Sequence, residues 1–248
     1  MAEWTERAEL LFTTEGLEKL KNSNILVVGM GGVGSFAAEF IARAGVGKMT
    51  IVDGDVVDIT NINRQLPALH STVGMSKVDV VGDRLQDINP ELKLTRIKEF
   101  LSPERAYELV TTEFDYVVDC IDSITPKLNL IKSARDKKIK VVSSMGAGGK
   151  LDASKVKVSD ISKTNNCHLA TAVRKRLRKM HVQKGVKAVY STEIQKEGSL
   201  RMTDGQNFKK SFYGTCSYMP GLFGLYCAET VIRYLLKSNV EGRMSNDD

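Results

Sequence analysis

Cysteine is scarce in this chain. Four thiols among 248 residues, Cys120, Cys167, Cys216 and Cys227, stand 47, 49 and 11 positions apart. No CxxC pair occurs, which removes the usual spacing of a structural zinc site and offers no disulfide framework, so four reduced thiols are expected. Histidine is scarcer: His70, His168 and His181 are scattered and read as surface or helix-end residues. No run reaches the roughly 18 uncharged apolar residues of a spanning helix. The N-terminal "MAEWTERAEL" has neither a basic nor an apolar leader region, so a soluble, cytoplasmic protein with no membrane partner is expected. No Pro/Ser/Gly-rich linker and no internal repeat divides the chain. One unit over residues 1–248 is expected, with a nucleotide-binding half at 24–145 and a substrate-facing half at 146–248. One stretch lacks acids altogether: "RKRLRKMHVQKGVK", Arg174 to Lys187, carries seven Lys and Arg, and the rest of a chain of net charge +6 is left at about −1. Such a run is either a solvated helix face or a landing strip for a polyanion.

From Ile25 to Ser144 short β-branched runs alternate with helical patterns, the signature of βαβ units. "ILVVG", "KMTIVD", "LKLTRIKEF", "DYVVDC" and "IKVVSS" read as strands. "VGSFAAEFIARAG", "KVDVVGDRLQDIN", "PERAYELV" and "PKLNLIKSARDKK" read as the helices between them. The fold class is α/β, a doubly wound, Rossmann-like, mostly parallel sheet with helices on both faces, whose ligands bind at the carboxyl ends of the strands. Beyond residue 150, "KVKVSD" and "VKAVYSTEIQ" read as strands and "HLATAVRKRLRKM" as a basic helix. "GLFGLYCAETVIRYLLKS" reads as a helix whose apolar face packs on the sheet or forms a dimer surface.

"GMGGVGS" (29–35) sits between the first strand and the first helix of that series. Closely spaced glycines let the backbone approach an anion, and the helix N-terminus offers free N–H groups to it. NAD, FAD and ATP all use such a cradle. Asp53, at the tip of the second strand, is placed for ribose hydroxyls in either a dehydrogenase or an ATP enzyme. The donors that follow, Asn61, Asn63, Arg64 and Gln65, together with Lys77, favour a triphosphate: Arg64 offers a rigid fork of N–H groups and Lys77 a point charge. "VVDCIDS" then brings Asp119 and Asp122 to the end of a further strand. Asp122 suits Mg2+, which takes one or two carboxylates plus phosphate oxygens; it suits equally a cap on the next helix. Asp119, ending the strand itself, is expected to satisfy backbone groups.

These stretches, "GMGGVGS", "DGDVVDITNINRQ", "GMSKVDVVGDRLQDINP" and "DCIDS", resemble the ubiquitin-activating-enzyme-like superfamily of ATP-dependent adenylating enzymes, to which the bacterial ThiF, MoeB and HesA proteins belong. The resemblance covers about residues 25–145. It implies ATP and Mg2+ as cofactors. The nucleotide site would be Gly29, Gly31, Gly32, Gly34, Asp53, Asp55, Asn61, Asn63, Arg64, Gln65, Lys77, Asp122 and Ser123, with Arg64, Lys77 and Asp122 catalytic and Asp122 the magnesium ligand. It implies attack of a carboxylate on the α-phosphate, giving an acyl adenylate and pyrophosphate. It also implies a homodimer, with Arg7 as a candidate to enter the other subunit's site.

Two carboxylate substrates remain. Superfamily members that activate the C-terminal glycine of a ubiquitin-like sulfur carrier usually hold zinc on two CxxC pairs, which this chain lacks. The second half, through "SSMGAGGKLDASKVKVSDISKT", "VYSTE" and "YGTCSYMPGLFG", is similar instead to the branch that activates the threonylcarbamoyl carboxylate of a modified adenosine beside the anticodon of tRNA and closes it into a ring. In that light Arg174, Lys175, Arg176, Arg178 and Lys179 are candidate tRNA phosphate contacts. The carrier protein, or a sulfur-relay partner, stands as the alternative. Ring closure by a neighbouring atom of the substrate needs no thioester, so Cys167 and Cys216 read as packing residues.

Overall fold

The apolar run NILVV forms β1 (Asn24–Val28), and its alternation divides the core. Ile25 and Val27 face one hydrophobic cluster, Leu26 and Val28 the other, as the two-residue side-chain period of a strand requires. In the computed structural model, which describes residues 4–196, 198–202 and 211–237, seven strands make the main sheet. They are β1, β2 (Lys48–Val52), β3 (Lys93–Ile97), β4 (Tyr116–Asp119), β5 (Lys140–Ser144), β6 (Val156–Asp160) and β7 (Lys187–Ser191), in the order β3-β2-β1-β4-β5-β7-β6. All pairings are parallel except that of the edge strand β6 with β7. Chain order reverses between β1 and β4, and in open parallel sheets that reversal opens a crevice at the carboxyl ends. The β5–β7 pairing carries the sheet from the first half of the chain into the second. Two short strands, β8 (Leu200–Met202) and β9 (Ser211–Tyr213), pair antiparallel beside it.

Helices cover both faces. On the Ile25 side lie α1 (Glu6–Asn22), α2 (Gly34–Arg43), α3 (Lys77–Ile88) and α7 (Tyr218–Lys237). Ala38, Ile41, Val81, Leu85, Phe223 and Val231 are buried together there. On the other side α4 (Pro103–Leu109), α5 (Ile124–Asp136) and α6 (His168–Lys179) bury Ala106, Leu130, Ile131, Val173 and Leu177. The apolar face of α7 is thus spent on α2 and the sheet. That helix begins at Tyr218, three residues before the start read from sequence, with Pro220 in its first turn, where a missing N–H costs nothing. The sequence reading carries it to Ser238, which lies outside the described residues. The helix α1 has a weak pattern, burying only Gly16 and Leu20, and it kinks at Thr13 (φ 66°), whose hydroxyl accepts from Gly16 N and restarts the helix. Among the described residues no helix is long and apolar enough to cross a membrane.

Candidate active site

Strand β1 ends in a turn that tolerates no side chain at two points. Gly29 has φ +93°, and a Cβ there would stand 2.9 Å from the Cys120 carbonyl oxygen. At Gly34 a Cβ would fall 1.7 Å from the Gly29 oxygen. The turn is therefore pressed against the β4–α5 connection on one side, while its own chain curls into the N-terminus of α2, where Ser35 N and Oγ both bond the Gly31 oxygen (3.2 and 2.5 Å). Free N–H groups at that helix start face the crevice.

Asp53, one residue past β2, accepts from Met30 N (2.6 Å) and from Asp55 N (2.8 Å), so each carboxylate oxygen is fixed by backbone. Burial raises its pKa, against the pull of the Asp55 N–H and the Lys77 charge. Lys77, 5% exposed at the first turn of α3, reaches back to Asp55 (Nζ–Oδ2 3.0 Å). The next donors lie on a 3-10 turn, Ile59–Asn61, capped by Asp58; Asn61 Oδ1 closes the cap by accepting from Asp58 N. Arg64 Nη1 donates to Thr60 O and Asn63 Oδ1 (both 2.9 Å), which sets the plane of its fork. Burial lowers its pKa, and the charge of the nearby Asp122 carboxylate opposes this. A Cβ on Gly31 would stand 3.8 Å from the Gln65 amide, whose Oε1 is buried with no hydrogen-bond partner. An orphaned buried acceptor is costly unless something else fills the role.

All the nucleotide residues read from sequence converge here. Gly32 lies against the Arg64 carbonyl and Pro220 of α7. Asn63 Nδ2 donates to Thr215 O (2.9 Å), tying the crevice to a segment 152 positions away. The capping alternative for Asp122 is not what the chain adopts: the N-cap of α5 is Ser123, which makes no side-chain cap bond, and its hydroxyl points to Asp122 Oδ1 at 3.4 Å. Asp122 is exposed at the mouth. The residues fit ATP and a magnesium ion. Gly31 and the α2 N-terminus offer a phosphate cradle, Arg64 and Lys77 supply cations, and the lone Gln65 oxygen awaits a donor. Asp122 would hold a metal shared with phosphate oxygens, an arrangement that needs no cage of three protein ligands; no such cage occurs among the described residues.

Beneath the site lies a pair the sequence reading missed. Asp119 does more than satisfy backbone. Although Oδ1 accepts from Ile121 N, Oδ2 takes the Lys127 ammonium (2.6 Å) and the Ser143 hydroxyl (2.5 Å). Lys127, on α5, also donates to Ser143 Oγ (3.1 Å) and Ser144 O (2.9 Å); the side chains of both partners are 0% exposed. One ammonium thus bolts α5 to the ends of β4 and β5 and sets the 120–123 turn that carries Asp122. The available signal was a lysine standing in the apolar stripe Lys127, Leu130, Ile131, Ala134.

The second half supplies a further wall. Lys150, 2% exposed, donates to the Glu193 carbonyl, and burial lowers its pKa. The Glu193 carboxylate in turn accepts Leu151 N (3.0 Å) and Asp152 N (2.9 Å). Cys216 Sγ rests on Lys150 O at 3.5 Å. Cys167 is buried as the N-cap residue of α6. The contact of Cys120 with Cys227, added to burial, pushes the Cys120 thiol well above its usual range, which leaves it protonated and unreactive.

The basic residues do not act as one set. Arg174 is turned into the protein, its Nη1 bonded to Thr164 O (2.8 Å) and to the Thr164 hydroxyl. It staples α6 to the 161–164 turn. Lys175, Arg176, Arg178 and Lys179 are exposed, because Ala170, Val173 and Leu177 claim the inward face. Arg7 is exposed on α1.

A family model described as the ThiF family matches residues 6–247. The chain is 42% identical over 241 residues to a Bacillus subtilis protein named tRNA threonylcarbamoyladenosine dehydratase, covering 93% of this chain and 94% of that one. Among solved structures, the Escherichia coli tRNA N6-threonylcarbamoyladenosine dehydratase TcdA in complex with ATP superposes with a TM-score of 0.86 at 32% identity, covering 95% of this chain and 94% of that one. Its complex with AMP superposes with a TM-score of 0.85 at 34% identity and the same coverage.

Proposed function

The chain belongs to the ThiF family, and from that premise we propose that it is an ATP-dependent enzyme that adenylates a carboxylate: the threonylcarbamoyl carboxylate of modified adenosine in tRNA, which it then closes into a ring, the nucleoside losing the elements of one water with the oxygen carried off in AMP. The observation that carries this is the crevice itself, where Arg64, Lys77 and the orphaned Gln65 oxygen surround a glycine turn at the switch point of the sheet. Full-length similarity to proteins named for that reaction supports the substrate.

The chemistry follows from the positions. A carboxylate oxygen attacks the α-phosphorus and pyrophosphate leaves; a neighbouring atom of the substrate then attacks the activated carbonyl and AMP leaves, a ligase-type coupling. Arg64 is held by Thr60 and Asn63 before any substrate arrives, so its charge is ready where the leaving pyrophosphate develops its own. Lys77, anchored on Asp55, sets a second cation on the same side. Asp53 presents fixed oxygens to ribose hydroxyls. Gln65 accepts a donor of the nucleotide. A magnesium ion on Asp122 would neutralise phosphate charge. The active species is a homodimer, cytoplasmic, in which the exposed apolar residues Leu10 and Leu11 of α1 are covered and Arg7 is carried towards the neighbouring site.

The test is pyrophosphate release by the purified protein with tRNA bearing the modified adenosine. Release that requires this RNA, with the nucleoside losing one water by mass spectrometry, is the expected result. Equal release without RNA, or on a carrier protein ending in Gly-Gly, overturns the substrate assignment.

A further inference from the structure

The basic patch divides between the two ends of the sheet. Strand β7 runs parallel to β5, with Lys187 opposite Val142, so the helix α6 that precedes it descends from the carboxyl ends of the strands to their amino ends. Its twelve residues cover about 18 Å. Arg178 therefore lies at the far side of the sheet from the glycine turn, beside the 3-10 turn Ile161–Lys163 that follows β6. Together with Ser162, Gln183 and Lys184 it lines a shallow concavity of ≈ 470 Å³. The wall is shaped by His181 (φ 61°) and Gly185 (φ 86°), both in the left-handed region. The Arg135 guanidinium of α5 closes against Gly185, where a Cβ would stand 2.7 Å from Nη2.

Charge at this place is unspent. Among the described residues neither Arg178, Lys184 nor Arg135 has an ion-pair partner. The bordering carboxylate, Asp160, is turned inward and consumed: it accepts Ser162 N (2.9 Å), Ser162 Oγ (2.7 Å) and Gly185 N (2.7 Å). Arg174, one helical turn before Arg178, is spent on Thr164, so the concavity begins where the structural use of the arginines stops.

We propose that this concavity is a subsite for the ribose-phosphate backbone of a stem–loop RNA whose modified base brings its carboxylate to the mouth of the ATP-filled nucleotide crevice. It rests on the RNA-carboxylate reading above and adds a place and a geometry to it. The subsite stands roughly 20 Å from the glycine turn: about 16 Å along a five-residue strand and about 14 Å across the three strand spacings from β1 to β7. A single nucleoside cannot bridge that span. A folded polyanion can, with the base at the carboxyl ends, the strand descending along Lys175 and Lys179, and the stem phosphates on Arg178 and Lys184. Contacts of this kind fix register and supply salt-dependent affinity without reading bases.

The experiment compares the full chain with the double variant Arg178→Glu, Lys184→Glu, both exposed positions. Binding of a fluorescent anticodon stem–loop is followed by anisotropy at several salt concentrations, with turnover on the modified RNA and ATP affinity by calorimetry beside it. The variant is expected to bind RNA at least about tenfold more weakly at low salt, to raise KM for RNA with kcat and ATP affinity held, and to lose about 1.4–1.8 units of the salt slope, as two missing phosphate contacts require. A loop without its stem is expected to be insensitive to the substitutions. If the unaltered chain binds and turns over RNA and the variant matches it in affinity and slope, the subsite is refuted while the functional reading survives. If the unaltered chain turns over no modified RNA, or answers only to an acidic protein ending in a free carboxylate, both fall.

Discussion

Replacing Lys127 by methionine removes one charge from a place where neither partner touches water. Methionine keeps the length of the stem, so the change isolates the ammonium. Asp119 is left without its cation at 0% side-chain exposure, and the bonds to Ser143 Oγ and Ser144 O lose their donor. Breaking a buried pair in this one-sided way costs about 3–5 kcal/mol, against a typical total stability of about 5–15 kcal/mol. For a chain of this size each kcal/mol moves Tm by about 2–4 °C, so a fall of roughly 6–20 °C is expected by calorimetry or circular dichroism. The double variant Lys127→Met, Asp119→Asn removes both charges and keeps an acceptor for Ile121 N; it should recover most of the loss. Activity distinguishes support of the site from simple stability. At a temperature where both variants are folded, the single variant should show a raised magnesium requirement, because the 120–123 turn that carries Asp122 has lost its bolt. A single variant melting within about 2 °C of the unaltered chain would refute the reasoning, since it would mean that the Lys127 contacts at this place do not hold the fold.

Further expectations follow from the same geometry. Arg64→Lys keeps the charge and loses the fork; a fall in kcat/KM of about 10²–10³ is expected with ATP as varied substrate, and parity with the unaltered chain would remove Arg64 from the phosphates. Gly31→Ala meets nothing nearer than 3.8 Å in the protein, so Tm should hold while ATP affinity by calorimetry falls. Gly34→Ala meets backbone at 1.7 Å and should fail to give soluble, folded protein. Glu39, which burial pushes up but the Arg84 and Arg43 bonds pull further down, has a folded pKa below its ordinary value. Its contribution is present above about pH 4.3 and is lost as pH falls through the lower folded value. Glu39→Gln should therefore flatten the acid limb of a Tm-against-pH curve, and an unchanged limb would show that the Arg pair does not hold the charge.

The nucleotide half was legible in the sequence because its signals are local. The glycine turn, Asp53 and Lys77 each follow a strand or open a helix within a few residues, the run Asn61 to Gln65 lies in the connection between β2 and α3, and the βαβ period places them all at one end of the sheet. What stayed hidden depends on contacts that only the fold creates. Lys127 stands in the apolar stripe of α5, but its partners Asp119, Ser143 and Ser144 meet it only when α5 is laid on β4 and β5. Arg174 reads like its neighbours, yet the 161–164 turn captures it while Arg178, on the same flank one turn on, stays exposed. The meeting of Asn63 with Thr215 joins two halves that no local pattern connects. The helix α1 was missed because a polar surface helix with two buried residues has little periodicity to read.

The central claim is that a carboxylate oxygen bonds to the α-phosphorus in this crevice. Substrate RNA carrying 18O in the threonylcarbamoyl carboxylate tests it directly. Turnover with ATP should place one labelled oxygen in AMP and none in pyrophosphate. Label recovered in inorganic phosphate with ADP as product, or released in water with AMP unlabelled, would contradict it.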